Sequence, residues 1–261
     1  MSDSDVHVDV VIPVYNEERV LADSVARLSE FLDEAVPYDW HIVIADNASI
    51  DQTPAVGRAV AAANPRVRYL RLEQKGRGRA LRRAWLDSDA DVVAYMDVDL
   101  STNLDAFPPL VESIVHGGYD VAIGAQCGFK AVSRRAADHL VPIVENNEWF
   151  FDSELLLRAE QHGYRIAEVP VEWIEDLDTR VKIVSTALED VRGLLRVRFT
   201  SKDGRAAARR GGPEDDERAR RVRGEQRRGP RSGPVAPRGE GPDGGRDEPD
   251  DAPRRAVAAQ R

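Results

Sequence analysis

Residues 91–100 read Asp91-Val92-Val93-Ala94-Tyr95-Met96-Asp97-Val98-Asp99-Leu100. A short apolar run rich in β-formers ends in two carboxylates separated by one residue. Asp91–Met96 is long enough for a strand and too short for a buried helix. It has no alternation of polar and apolar positions, so both of its faces are expected to be buried, as in a parallel sheet. In such sheets ligands bind beyond the carboxyl ends of the strands. Asp97 and Asp99 would stand there, able to share a divalent cation whose other oxygens come from a diphosphate. A lone D-x-D is common and by itself also fits a solvated turn; its place after a strand is what gives it weight.

Other strands of the same kind lie on either side. Val8–Val14, His41–Ala45, Val67–Leu72 and Asp120–Gly124 are expected strands, with Phe129–Ser133 and Arg165–Val171 following. Between them Leu21, Val25, Leu28 and Leu32 recur at helical spacing,. Thr53-Pro54 reads as an N-cap with proline at the first helical position. Helices are also expected near Gly78–Leu86, Asp105–His116 and Asp152–His162. Val181, Val184, Leu188, Val191 and Leu195 trace one face of a closing helix,. Strands alternating with helices indicate a three-layer α/β fold with a mostly parallel sheet.

Polar groups collect at the predicted strand ends. Pro13-Val14-Tyr15-Asn16-Glu17-Glu18 follows the first strand, where no G-x-G-x-x-G appears, which argues against a dinucleotide-binding domain,. Tyr15 can lie against a base, and Glu17 can accept from a ribose or base. Equally, Asn16 can cap the helix while Glu17 and Glu18 complement its dipole. Asp46, after the second strand, can accept an N–H from uracil or guanine, or belong to an Asx-rich turn. Lys75-Gly76-Arg77-Gly78-Arg79 opens a helix where backbone N–H groups and cations can hold phosphate, or where a basic face is merely solvated,.

The chain has 261 residues and a formal charge of −9. Its longest stretch without a charged residue, Val121–Phe129, is far below the ~20 apolar residues of a membrane span,. The acidic start MSDSDVHVDV lacks the basic region of a secretory signal,. One cysteine, Cys127, excludes an internal disulfide framework,. Residues 200–261 hold 15 Arg, 1 Lys and 12 acidic residues, with 10 of the 19 Gly, 7 of the 15 Pro and no aromatic. That composition is expected to be disordered, leaving residues 5–199 as one domain. Arg218-Ala219-Arg220-Arg221-Val222-Arg223 can touch nucleic acid or anionic lipid, though a mixed-charge solvated tail is the simpler expectation, and nucleic acid is not expected as a partner,. The expected location is cytoplasmic, with peripheral contact at the inner membrane face.

PVYNEE, IADNASIDQT, KGRGRA, MDVDLST, QCGFKA and FFDSELLLRAE, in that order, resemble family 2 glycosyltransferases, most closely the polyprenyl-phosphate (dolichyl-phosphate) mannosyl- and glucosyltransferases. The resemblance implies a GT-A (Rossmann-like) domain binding a nucleotide-sugar donor, with a lipid-phosphate acceptor. Pro13, Tyr15, Glu17 and Asp46 would line the nucleotide pocket, beside Lys75. Asp97 and Asp99 would carry Mg²⁺ or Mn²⁺, with Ser101 nearby where close relatives often have Gln. Asp152 and Glu154 fall where relatives place active-site carboxylates, and also suit a helix start. Transfer would be an inverting displacement at the sugar C1. A lipid phosphate is already anionic near pH 7, so no strong general base is required. An active transferase is the leading expectation; a donor-binding module with impaired catalysis is the alternative, and a nucleotidyltransferase ranks last because no Gly-rich basic loop follows the first strand.

Two departures stand out. Asn47-Ala48 occupies a place where many relatives carry Asp-Gly. More importantly, relatives follow the strand at Asp120–Gly124 with Ser-Arg and several tens of residues that serve the acceptor. Here Gly124 runs straight into Ala125-Gln126-Cys127-Gly128, so the acceptor side is shortened near 124–126. Parallel strands cannot be joined so briefly. The pair is therefore expected to be antiparallel or rearranged, with order dipping near Gly124–Cys127.

Overall fold

The computed structural model describes residues 3–124 and 128–171. Seven strands and six α-helices follow one another along them, alternating as far as β5: β1 (His7–Val14), α1 (Leu21–Ala35), β2 (Asp39–Asn47), α2 (Thr53–Ala63), β3 (Val67–Leu72), α3 (Arg77–Asp87), β4 (Val92–Met96), α4 (Phe107–Val115), β5 (Val121–Gly124), β6 (Phe129–Ser133), α5 (Arg134–Leu140), α6 (Phe151–Gln161) and β7 (Ile166–Val169). They form one sheet in the order β3-β2-β1-β4-β6-β5-β7. The β1–β2, β2–β3, β1–β4 and β5–β7 pairs are parallel; β6 runs antiparallel to both β4 and β5. The short connection after Gly124 is thus met by an antiparallel pair, with Val121 opposite Val132 and Ile123 opposite Lys130. The expected dip in order at 125–127, the closing helix at 181–195 and the tail at 200–261 lie outside the described residues.

Strand periodicity sorts the side chains into two cores. Val8, Val10, Ile12 and Val14 of β1 and Val92, Ala94 and Met96 of β4 face α1 and α4, where Leu28, Leu32, Phe107 and Leu110 are fully buried. Val11, Val93 and Tyr95 face the other way, against Leu81 and Trp85 of α3, Leu140 of α5 and Phe151 of α6. Burying each large apolar side chain contributes about 1.5–3 kcal/mol. The same alternation puts Asp97 on the side of Val93 and Tyr95, under α3 and α6.

The order reverses between β1 and β4, so their carboxyl ends open a crevice,. The β1–β4 ladder stops at the Val11–Tyr95 pair, two residues short of Pro13, whose nitrogen carries no hydrogen to extend it,. Two helix starts differ from expectation. Thr53 begins α2 but does not cap it; its hydroxyl accepts from the Glu17 backbone N–H at 2.7 Å. Asn16 does not cap α1, which begins only at Leu21; its Oδ1 accepts from the Ile50 N–H at 2.9 Å. Both side chains are used to tie the loop after β1 to the loop after β2.

Candidate functional site

β4 delivers Asp97 and Asp99 to the rim of the crevice. Between them Val98 is buried, which anchors the turn. Leu100 takes a left-handed backbone (φ 52°), and its N–H bonds the Asp97 carbonyl at 3.3 Å. The Ser101 N–H donates to Asp99 Oδ1 at 3.1 Å, so Ser101 steadies Asp99 through its backbone. Asn16 (φ 58°) and Ala48 (φ 60°) are the other non-glycine residues with positive φ among the described residues. All three sit just beyond the ends of β1, β2 and β4, and such strain is costly unless the surroundings hold it in place.

Asp97 is 42% exposed at its side chain and is gripped from within. Arg77, the first residue of α3, sends Nη2 to Asp97 Oδ1 at 2.9 Å and Nη1 to Asp152 Oδ2 at 2.8 Å. Its guanidinium lies 5.1 Å from the ring centres of both Tyr95 and Trp149. Close packing makes this reach possible: a Cβ on Gly78 would stand 2.5 Å from the Phe151 Cβ, so only glycine lets the first turns of α3 and α6 touch. The Lys130 amino group of β6 donates to the Tyr95 hydroxyl at 3.1 Å, beside Asp152. The chain Lys130, Tyr95, Asp152, Arg77, Asp97 therefore runs under the crevice floor.

The charges set the protonation of this chain. Burial pushes the Asp97 carboxyl above the usual range; Asp99 and Asp152 push the same way and Arg77 pulls against them. Burial also works against the charge of Asp152, but Lys130, Arg77 and Tyr95 outweigh it and hold its carboxyl below the usual range. Asp152 is thus a fixed anion that positions Arg77. Its Oδ1 is buried without a hydrogen-bond partner among the described residues. Tyr95 is held protonated, by burial first and then by Asp152.

The loops after β1, β2 and β3 form the opposite wall. Asp46 is wholly buried. Its carboxylate accepts from the Ser49 N–H at 2.8 Å, from Arg71 Nη1 at 2.9 Å and from the Tyr69 hydroxyl. Ser49 in turn accepts from the Asn16 N–H at 3.0 Å. Through these contacts Asp46 braces the wall. Asn47 Oδ1 accepts from the Gly76 N–H and fixes the start of α3. Tyr15 and Lys75 meet directly, with the ammonium 3.4 Å from the ring centre. Glu17, half-buried, lies one turn before α1.

Of the residues expected from sequence, Asp97, Asp99, Ser101 and Asp152 come together, while Tyr15 meets Lys75 on the opposite wall, which Asp46 also braces. Arg77 was expected only as one cation of the Lys75–Arg79 stretch that can hold phosphate, and Tyr95, Gly128 and Lys130 only as members of the strand and motif runs; their contacts around Asp97 and Asp152 are set by the fold. The one available signal for Arg77 was its place between two glycines at a helix start. Asp97 and Asp99 are hard oxygen donors, and Mg²⁺ or Mn²⁺ typically uses one or two carboxylates with substrate phosphate and water. Asp97, Asp99 and Asp152 are offset from within by Arg77 and Lys130, and the Asp97/Asp99 pair at the rim offers the oxygen donors that suit a divalent cation,.

Residues 9–167 match the family described as Glycosyl transferase family 2. Glycosyltransferase AglD of Haloferax volcanii is 34% identical over 229 residues, covering 73% of this chain and 37% of that protein. Those 229 residues exceed what 73% of 261 can supply, so the relative carries residues with no counterpart here. Dolichyl-phosphate beta-glucosyltransferase ALG5C of Trichomonas vaginalis is 29% identical, covering 70% of this chain and 68% of that one. Among solved structures, glucosyl-3-phosphoglycerate synthase of Mycobacterium tuberculosis, bound to Mn²⁺, UDP and glucosyl-3-phosphoglycerate, superposes with a TM-score of 0.58 at 18% identity, covering 74% of this chain and 80% of that one. The mannosyltransferase PcManGT of Pyrobaculum calidifontis, with GDP-Man and Mn²⁺, gives 0.51 at 14% identity, covering 85% and 80%. Among the described residues no helix is long and apolar enough to cross a membrane. The sheet order, the D-x-D turn and the match over residues 9–167 agree: the fold is GT-A, and the chain belongs to the family 2 glycosyltransferases.

Proposed function

We propose that the chain is an inverting glycosyltransferase that moves a hexose from a nucleoside-diphosphate sugar, UDP-glucose or GDP-mannose, to a polyprenyl (dolichyl) phosphate. The observation that carries this is the Asp97/Asp99 turn at the crevice between β1 and β4, in a chain similar to dolichyl-phosphate glycosyltransferases. Asp97 and Asp99 would hold the Mg²⁺ or Mn²⁺. That ion supplies positive charge where the departing diphosphate gathers negative charge. Tyr15 offers an aromatic face to the base, and Lys75 a cation to the donor phosphates. Asp152, kept ionised, orients Arg77 and takes no proton. The acceptor phosphate arrives as an anion and attacks C1 from the face opposite the leaving group. In this reading residues 5–199 are the catalytic domain, meeting its lipid acceptor peripherally at the inner membrane face. One observation favours a second reading, donor binding with impaired transfer: β5 ends at Gly124 and β6 begins at Phe129, with no acceptor-side segment between.

The test is thermal unfolding with Mn²⁺ and each donor, with Asp99→Asn as control. Ligand at 100 times its dissociation constant stabilises by about 2.7 kcal/mol. For a domain of this size that raises Tm by about 5–10 °C. A shift with one donor, absent in Asp99→Asn, establishes the site; transfer of labelled hexose to a polyprenyl phosphate then separates the two readings. No shift with either donor in a cooperatively folded chain refutes both.

A further inference from the structure

Arg77 stands where a divalent ion has to compete with it. Its Nη2 lies 2.9 Å from Asp97 Oδ1, its other arm is tied to Asp152, and the side chain is only 9% exposed. It is not held by chance packing. Gly78 fixes the first turn of α3 on α6, Asn47 holds the Gly76 N–H, and Tyr95 and Trp149 flank the guanidinium plane. On the far side Gly128 (φ 95°) closes on Asp97, where a Cβ would stand 2.0 Å from Oδ2. One carboxylate oxygen is therefore bonded to a cation, and the other lies where any side chain at position 128 would meet it.

A metal ion arriving alone would have to take lone pairs already given to Arg77, and would then sit beside a fixed positive charge. A nucleoside diphosphate reverses this balance. Its oxygens complete the metal's coordination, and its negative charge offsets the guanidinium. We propose that Arg77 is a positioning residue that keeps Asp97 neutralised until the donor arrives, so that divalent metal and nucleoside diphosphate load together while metal alone binds weakly. The inference rests on the donor-site reading above.

The test follows Mn²⁺ binding to the full chain by the electron-spin-resonance signal of the free ion, with and without UDP and, separately, GDP. One nucleotide is expected to tighten Mn²⁺ at least tenfold, equivalent to about 1.4 kcal/mol. Mn²⁺ must tighten that nucleotide by the same factor. Arg77→Gln is expected to bind Mn²⁺ alone about tenfold more tightly than the wild type, with the coupling to nucleotide correspondingly smaller. Arg77→Lys, which keeps the charge but reaches one carboxylate, is expected to lie between, and serves if the glutamine variant does not fold. Equal Mn²⁺ affinity with and without nucleotide in the wild type overturns the inference. So does a folded Arg77 variant that binds Mn²⁺ alone no better than the wild type. If the wild type binds neither nucleotide with Mn²⁺, the donor-site reading itself falls and takes the inference with it.

Discussion

Gly128→Ala tests whether Asp97 is held where the structure puts it. The added Cβ would stand 2.0 Å from Asp97 Oδ2 and 2.8 Å from its Cγ. Real Cβ atoms essentially never come closer than 3.0 Å, so the carboxylate must retreat by about 1 Å or the backbone must shift. Retreat is opposed by Arg77, which grips Oδ1. A misplacement of about 1 Å in a reacting constellation costs on the order of 10²-fold. Separately, alanine at φ 95° carries a backbone cost of about 1–2 kcal/mol,. For a domain of this size that lowers Tm by about 2–8 °C. The assay pairs thermal unfolding with calorimetric titration of Mn²⁺ and donor nucleotide, for Gly128→Ala, Asp97→Asn and the double variant. The expected result is a folded protein with weakened Mn²⁺ and nucleotide binding, and a double variant little worse than Asp97→Asn, because both changes act through one carboxylate. Wild-type affinity in Gly128→Ala would refute the reasoning, as would full additivity in the double variant.

Ala48 adopts φ 60°, a conformation that glycine enters freely,. Ala48→Gly is expected to raise stability by about 0.5–1 kcal/mol, the relief of left-handed strain outweighing the entropy glycine adds to the unfolded chain; a lowered Tm would contradict this. Asp46→Asn leaves the Tyr69 hydroxyl and Arg71 facing a weaker acceptor and is expected to cost about 2 kcal/mol in denaturant unfolding,. Burial and Asp46 together push the Tyr69 phenol up to about 12, so the same variant should bring its ultraviolet titration part of the way back toward 10. His139, 2.8 Å from the Tyr164 hydroxyl and edge-on to His162, has its pKa lowered from 6.5 by burial and then by His162. The fold therefore favours its neutral form. That contribution is complete above pH 6.5 and is lost as the pH falls through the lower folded value. The Tm advantage of the wild type over His139→Asn should shrink between pH 7 and 5.5; a constant gap would refute the assignment.

The layered architecture was legible because it depends on local pattern. Val8–Val14, His41–Ala45 and Asp91–Met96 are apolar on both faces, and helical spacing separates them, so a parallel three-layer fold follows without knowledge of any contact,. The Asp97/Asp99 turn was legible for the same reason: two carboxylates directly after such a strand fall at the sheet's ligand-binding edge. What the tertiary structure alone decided is how those carboxylates are held. In the sequence Arg77 was one cation of a helix start that could hold phosphate or lie solvated; it is buried because Asp152, 75 positions away, and Asp97, 20 positions away, converge on it. Lys130 is buried beside Tyr95 because β6 enters the sheet next to β4, an antiparallel insertion set by strand order. Asp46 could be placed from sequence only at a strand end, facing a base or within an Asx-rich turn; the register that sets Arg71 of β3 opposite it, with Tyr69 two residues earlier, is what gives its carboxylate those two partners. Asn16 and Thr53 each read as a local helix cap, and each serves the other's loop instead. Periodicity and strand-end chemistry are carried by neighbours in the chain, and so the sequence determined them. The burial of a charge depends on partners brought together from distant segments, and so only the folded arrangement could decide it.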